Sequence, residues 1–222
     1  CAKINNLYIY VTGIVLIGVL QHYLLILLHE SVHQVFFINK SIHDYLSDMF
    51  IALPCIMFTK HYRNFHLNHH AYLGTKDDPE NEMKKYPLWS FPKKNILQLA
   101  ICYFSIVGEQ SLPVRLKRIY AVYFDERNKI SYKIFTAVYY FLILNLIYAT
   151  GYLQEFFIYW IVPLFLVLPF LLRIRNLSEH IGILNKSKYN HTRDVKGNFL
   201  EVIFLAPLNA NYHLTHHLYP KI

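Results

Sequence analysis

Residues 4–33 read INNLYIYVTGIVLIGVLQHYLLILLHESVH, and the fold turns on how that stretch is read. Its first 25 positions, residues 4–28, are nearly uncharged. At 1.5 Å per residue such a helix crosses a hydrocarbon core of about 30 Å. A cleaved signal peptide is the competing reading. It is set aside because the stretch has no basic leading segment and no small-residue cleavage site, and HESVH (residues 29–33) follows without a break. The stretch therefore predicts a transmembrane helix that delivers His29 and His33 to a membrane surface.

The rest of the chain reads the same way. Of 222 residues, 55% are hydrophobic and 17% aromatic, more than an ordinary soluble domain carries. Residues 134–150 (IFTAVYYFLILNLIYAT) and 156–172 (FFIYWIVPLFLVLPFLL) are two further apolar runs joined by GYLQE, which predicts a transmembrane hairpin. Pro163 and Pro169 predict a kink in the second run, tolerated where neighbours serve the freed carbonyls. Stretches at about 45–58 and 95–108 are shorter, the first contains Pro54, and both are expected to be interfacial or re-entrant. Residues 29–133 and 173–222 then share one side with every Lys and Arg except Lys3, and the positive-inside rule makes that side cytoplasmic.

The formal charge of +8 is thereby assigned to topology and anionic head groups; a docking surface for an acidic redox partner is the sharper reading. Nothing resembles a nucleic-acid-binding motif. Cys1, Cys55 and Cys102 are too scattered for a disulfide framework or an iron–sulfur site. The chain starts at Cys1 and stops soon after a histidine-rich motif, so a single domain over 1–222, cut short at both ends, is expected. The expected fold class is an all-α integral membrane protein, with transmembrane helices and a cytoplasmic helical cap carrying a histidine-rich di-metal site.

HESVH matches the HExxH pattern of zinc proteases, in which Glu30 would be the general base. Membrane-embedded enzymes of that kind also take a ligand from an Asp-Gly context, and the chain contains no Asp-Gly. The other histidines point elsewhere. Of the 13, nine fall in four groups: His29 and His33; His66, His69 and His70 in HLNHH; His180 in NLSEH; His213, His216 and His217 in HLTHH. In HxxHH the first and last histidines share a helix face and the middle one lies about 100° away, so one motif reaches two metals. Nine imidazoles exceed what one zinc takes. Two metals, about 4 to 7 Å apart, are expected; imidazole alone does not choose between iron, copper, nickel and zinc. His22, two turns before His29, is expected to be buried and bonded to a neighbour, and His43, His61 and His191 stand outside the groups.

HESVH, HLNHH and NYHLTHHLYP, in that order and with a hairpin between the second and third, resemble the three histidine boxes of the membrane fatty acid desaturase family over residues 29–220. The resemblance implies an oxygen-dependent oxidoreductase with two iron ions, for which zinc can substitute during purification. It also implies electrons from a separate donor of cytochrome b5 or ferredoxin type, and a lipid or carrier-linked acyl substrate. The expected location is the bacterial inner membrane or the endoplasmic reticulum. It makes the nine histidines metal ligands and gives Asn176, four residues before His180, a metal-held water. Glu30, Asp78, Glu80 and Glu179 become candidates for fixing imidazole tautomers. GTKDDPE after the second box also resembles the family, with Pro79 opening a helix. Thr215 stands where many members carry an acid, and His213 where the front-end branch carries Gln. Hydroxylases and ketolases acting on lipids, carotenoids or small molecules share these boxes. A non-enzymatic metal-binding membrane protein is the reading from another class, and it predicts histidines strung along the spans.

Overall fold

The computed structural model describes residues 6–36, 39–81, 98, 103–104, 112–126, 128–180, 183 and 191–220. All regular structure among them is helical. Helix α1 (Leu7–Val32) starts where the Asn6 side chain accepts from the Tyr8 amide at 2.9 Å, serving one of the amides a helix start leaves without a partner. It runs past residue 28 to take HESV into the same helix, so His29 and His33 are carried on its last turn and its cap.

Helices α2 (Lys40–Ser47), α3 (Thr59–Tyr72) and α4 (Leu112–Phe124) precede α5 (Ile130–Thr150). Gly151 at φ +75° ends α5 in the left-handed conformation that glycine adopts without steric cost. Helix α6 (Leu153–His180) follows, and then α7 (Phe199–Leu205) and α8 (His213–Leu218). Among the described residues three helices, α1, α5 and α6, are long and apolar enough to cross a membrane. The expected stretch at 95–108, with Cys1 and Cys102, lies outside the described residues except for Gln98, Tyr103 and Phe104.

The apolar run that ends at residue 172 does not end its helix. A wide turn over Phe157–Ile161 absorbs the amide that Pro163 lacks. The chain then stays helical through Arg173 and Arg175 to His180. Arg175 Nε donates to Glu179 Oε1 at 2.7 Å, a pair one turn apart that supports this extension. Charge ends the hydropathy signal there, not the helix.

α1 lies along α6 with glycine at the contact. A Cβ on Gly18 would meet Val167 Cγ1 and Cβ at 2.5 and 2.6 Å. Gly18→Val is therefore expected to lower stability by about 1–3 kcal/mol, the usual cost of overpacking. The readout is the melting temperature in detergent, and Val167→Ala in the same chain should recover part of the loss. A Gly18→Val protein that melts with the wild type would remove this close approach from the fold.

Between α2 and α3 the chain turns tightly at residues 53–56, and Ile56 takes φ +55°. Irregular backbone in an apolar setting needs its polar groups served. Three side chains do this: Tyr140 Oη donates to Leu53 O at 3.1 Å, Trp160 Nε1 to Pro54 O at 2.9 Å and Arg115 Nη1 to Cys55 O at 2.8 Å. Buried Asp48 accepts from the Thr59 amide at 2.7 Å and from Tyr132 Oη at 2.8 Å, which fixes the start of α3. Cys55 is fully buried, and burial pushes its thiol up to about 12. α5 is the opposite case: only its Thr136 is fully buried, while Phe141, Leu142 and Leu146 face outward. An outward apolar face of that size suits hydrocarbon rather than water.

Candidate metal centre

The ends of α1, α3, α6 and α8 meet at one place. Arg63 helps to hold α1 there, since its Nε donates to Val32 O at 2.9 Å while its Nη atoms grip Asp44 at 2.6 and 2.8 Å. The loop before α8 is tied to the end of α6: Thr192 Oγ1 and the Arg193 amide both donate to Glu179 O, at 3.0 and 3.1 Å. Thr215 donates from its amide and hydroxyl to Asp194 at 3.0 and 2.7 Å. These bonds position the third box.

All nine grouped histidines converge, in two sets. His66 Nε2 lies 2.9 Å from that of His70, 3.0 Å from His33 and 3.4 Å from His216. The His29 ring packs on the same set, its centroid 4.3 Å from His66 and 4.2 Å from His216. In the second set, His213 Nε2 lies 3.0 Å from His180 and 3.2 Å from His217. His69 joins it, its centroid 5.0 Å from His217 and 5.5 Å from His180. Each HxxHH motif is thus divided: His66 and His70 go one way and His69 the other; His213 and His217 go one way and His216 the other. The 100° offset between the third and fourth steps of a helix does the dividing.

These residues fit a pair of metal ions. A neutral imidazole has one N–H and one lone pair, so four Nε2 atoms around one point cannot all be hydrogen-bonded to each other. A cation in their midst satisfies every one. His29 Nε2 and His69 Nε2 are also buried without a hydrogen-bond partner. Burial, then the neighbouring imidazoles, holds His70 and His216 down to about 3 and lowers His66, His213 and His217 as well. All five are neutral at physiological pH, so protons do not compete for their lone pairs.

The acids divide by the ring nitrogen they meet. Glu30 Oε1 lies 3.1 Å from His29 Nδ1, and Asp78 Oδ1 lies 2.9 Å from His69 Nδ1, each on the ring edge away from the convergence. From those positions a carboxylate would orient an imidazole toward an ion in the convergence. Glu80 and Glu179, expected in the same role, lie nearer the other ring nitrogen. Glu80 lies 3.8 Å from His69 Nε2 and 3.7 Å from His180 Nε2, and Glu179 Oε2 lies 3.6 Å from His213 Nε2. Sequence spacing does not report which nitrogen an acid reaches. Asn176, one turn before His180, has its Oδ1 buried without a partner and donates from Nδ2 to Glu80 Oε1 at 3.5 Å. Asp78→Ala is expected to weaken metal retention roughly 10–100-fold, as loss of an orienting partner does elsewhere, with Asp78→Asn milder because its oxygen still accepts. Chelator competition would measure it, and wild-type retention in Asp78→Ala would remove Asp78 from the centre.

A cavity of about 250 Å³ touches both sets, through His29 and His66 on one hand and His69, His180 and His213 on the other. Leu25, Leu28, Met57, Phe58 and Leu172 give it apolar walls. Tyr62 and Arg175 also line it and escaped the sequence reading. Tyr62 stacks on His66 with centroids 5.8 Å apart, and its place four residues before His66 in one helix was the available signal. For Arg175 the signal was a charge at the end of an apolar helix. His22 is fully buried in α1 with Nδ1 3.4 Å from Phe204 O, a neighbour contact as expected. His43 is buried against Phe36 and Asp44, His61 lines the cavity, and the His191 ring lies where a Cβ on Gly74 would fall.

Comparison with known proteins agrees with this geometry. A family model described as "Fatty acid desaturase" matches residues 5–222. The chain is 28% identical over 233 aligned positions to a dihydrorhizobitoxine desaturase of Bradyrhizobium elkanii. That alignment covers 97% of this chain and 64% of the relative, so the chain spans less than two thirds of the relative's length. No solved structure matches the chain.

Proposed function

The chain belongs to the fatty acid desaturase family, and from that premise we propose that it is an oxygen-dependent membrane oxidoreductase that introduces a double bond into the acyl chain of a lipid or carrier-linked fatty acid. The observation that carries the reading is the opening of two imidazole sets onto one cavity with apolar walls. The nine histidines would hold two irons. When bound, the irons supply reductive activation of dioxygen, and with it an oxidant able to break an unactivated C–H bond.

The remaining work falls to the chain. The apolar wall formed by Leu25, Leu28, Met57, Phe58 and Leu172 binds methylenes and keeps two adjacent ones against the histidines. Excluding water there protects the oxidant from side reactions. Neutral imidazoles withstand oxidation beside it. The overall reaction consumes one dioxygen, two protons and two electrons, and turns CH2–CH2 and O2 into CH=CH and two waters. The electrons come from a separate protein of cytochrome b5 or ferredoxin type, which docks on the charged face that the positive-inside rule makes cytoplasmic.

A second reading keeps the centre and changes the substrate to a small molecule, or the outcome to hydroxylation or ketone formation. The named substrate of the relative favours the small molecule. So does the cavity, whose volume of about 250 Å³ falls below the roughly 300–1,000 Å³ common for ligand sites. Cells expressing the full-length protein with its donor should be fed a deuterated acyl chain and their lipids profiled. A new double bond supports the first reading, and a hydroxylated product selects the second. An unchanged profile from protein carrying two irons would overturn the acyl reading.

A further inference from the structure

We propose that Glu80 is itself a metal ligand, a carboxylate donor to the ion held by His69, His180, His213 and His217. The inference rests on the two-metal reading above. Its first support is position. The Glu80 carboxylate reaches toward two rings on their metal-facing side, with Oε1 3.8 Å from His69 Nε2 and Oε2 3.7 Å from His180 Nε2. An oxygen that only fixed a tautomer would lie at Nδ1, where Asp78 already meets His69.

The second support is charge. Glu80 is 9% exposed, and its Oε2 is buried without a hydrogen-bond partner. A carboxylate taken out of water costs several kcal/mol unless a cation or good donors compensate it. Three other buried or half-buried acids of the fold have such partners. Asp44 is gripped by Arg63, Glu179 by Arg175, and Asp48 by the Thr59 amide and Tyr132. Among the described residues no Lys or Arg pairs with Glu80, and its one side-chain donor, Asn176 Nδ2, stands 3.5 Å away. The missing positive charge is what a divalent ion at the His69 set supplies.

The third support is how the residue is held. Asp78 Oδ1 accepts from the Glu80 amide at 2.9 Å and lies 2.9 Å from His69 Nδ1, so one carboxylate sets the Glu80 backbone and the His69 ring together. The set also has fewer imidazoles than its neighbour. His33, His66, His70 and His216 gain His29 as a fifth imidazole, whereas the His69 set holds four.

The test compares wild-type protein, Glu80→Gln and Glu80→Asp in detergent. Iron per chain is measured by mass spectrometry after anaerobic loading, and retention by titration with a chelator. Wild type should hold two irons. Glu80→Gln, which keeps the size and the Asn176 contact but removes the charge, should hold one iron as tightly and lose the second at least roughly tenfold more easily, a loss no smaller than that of an orienting partner. Its Mössbauer spectrum should change at one iron only, and Glu80→Asp should fall between the two. Two irons held with wild-type affinity and an unchanged spectrum in Glu80→Gln would overturn the assignment. Wild type holding fewer than two irons would overturn the two-metal reading, and the assignment with it. Should Glu80→Gln fail to fold, the iron-loaded wild-type structure decides. A Glu80 oxygen at about 2.0–2.2 Å from the ion supports ligation, and one beyond about 3 Å overturns it.

Discussion

His66→Ala should leave a folded protein that has lost iron from the His33 set and has no measurable turnover. His66 is the hub of that set, with three other Nε2 atoms within 3.4 Å. Removing it takes away a donor and also opens a void between Tyr62 and the His29 ring. The effect should exceed the roughly 10–100-fold that loss of an orienting partner costs, since a ligand is lost outright. Iron per chain and product yield are both read, because a fall in yield with two irons retained would mean that His66 is not a ligand. His43→Ala is the control. His43 is as fully buried but stands outside both sets, so its loss should lower the melting temperature and leave two irons in place.

Asn176→His should have the second largest effect, by a different route. Asn176 sits one turn before His180 with its Oδ1 buried and without a hydrogen-bond partner, and it lines the cavity that both sets touch. On the proposed reading the amide oxygen would hold a water and leave an exchangeable position beside the His69 set, which an imidazole in its place would close as a permanent ligand. Both irons should stay, and turnover should fall at least about 100-fold, the low end of what loss of one essential polar group at a reacting centre costs. Asn176→Ala should keep both irons with a milder loss, since water remains. If Asn176 only caps the helix, both variants will lose some stability and keep normal turnover per iron-loaded chain.

What could be anticipated from the sequence was whatever depends on local periodicity. Uninterrupted apolar runs mark α1 and α5 because a lipid-facing helix must be apolar nearly all round. The spacing in HLNHH and HLTHH announces two divergent faces for the same reason, the fixed angle per residue. Long-range pairings left no such trace. Nothing local says that Tyr140, Trp160 and Arg115 will serve the carbonyls of residues 53–55, since each lies 60 or more residues away. The end of α6 was hidden because Arg173 and Arg175 break the apolar run while their helix continues. Glu80 and Asp78 are two residues apart and meet opposite edges of one imidazole, a difference visible only in three dimensions.

The outward face of α5 bears on where such a protein can work. Phe141, Leu142 and Leu146 face outward, while among the described residues the other edge, through Tyr132, Thr136 and Tyr140, is committed to neighbours. That outer face is answerable to bilayer thickness alone, so it can drift among apolar residues, or change its match to a thicker or thinner host membrane by tilting. The tyrosine edge cannot drift in the same way, because it anchors the turn from which the second histidine box begins.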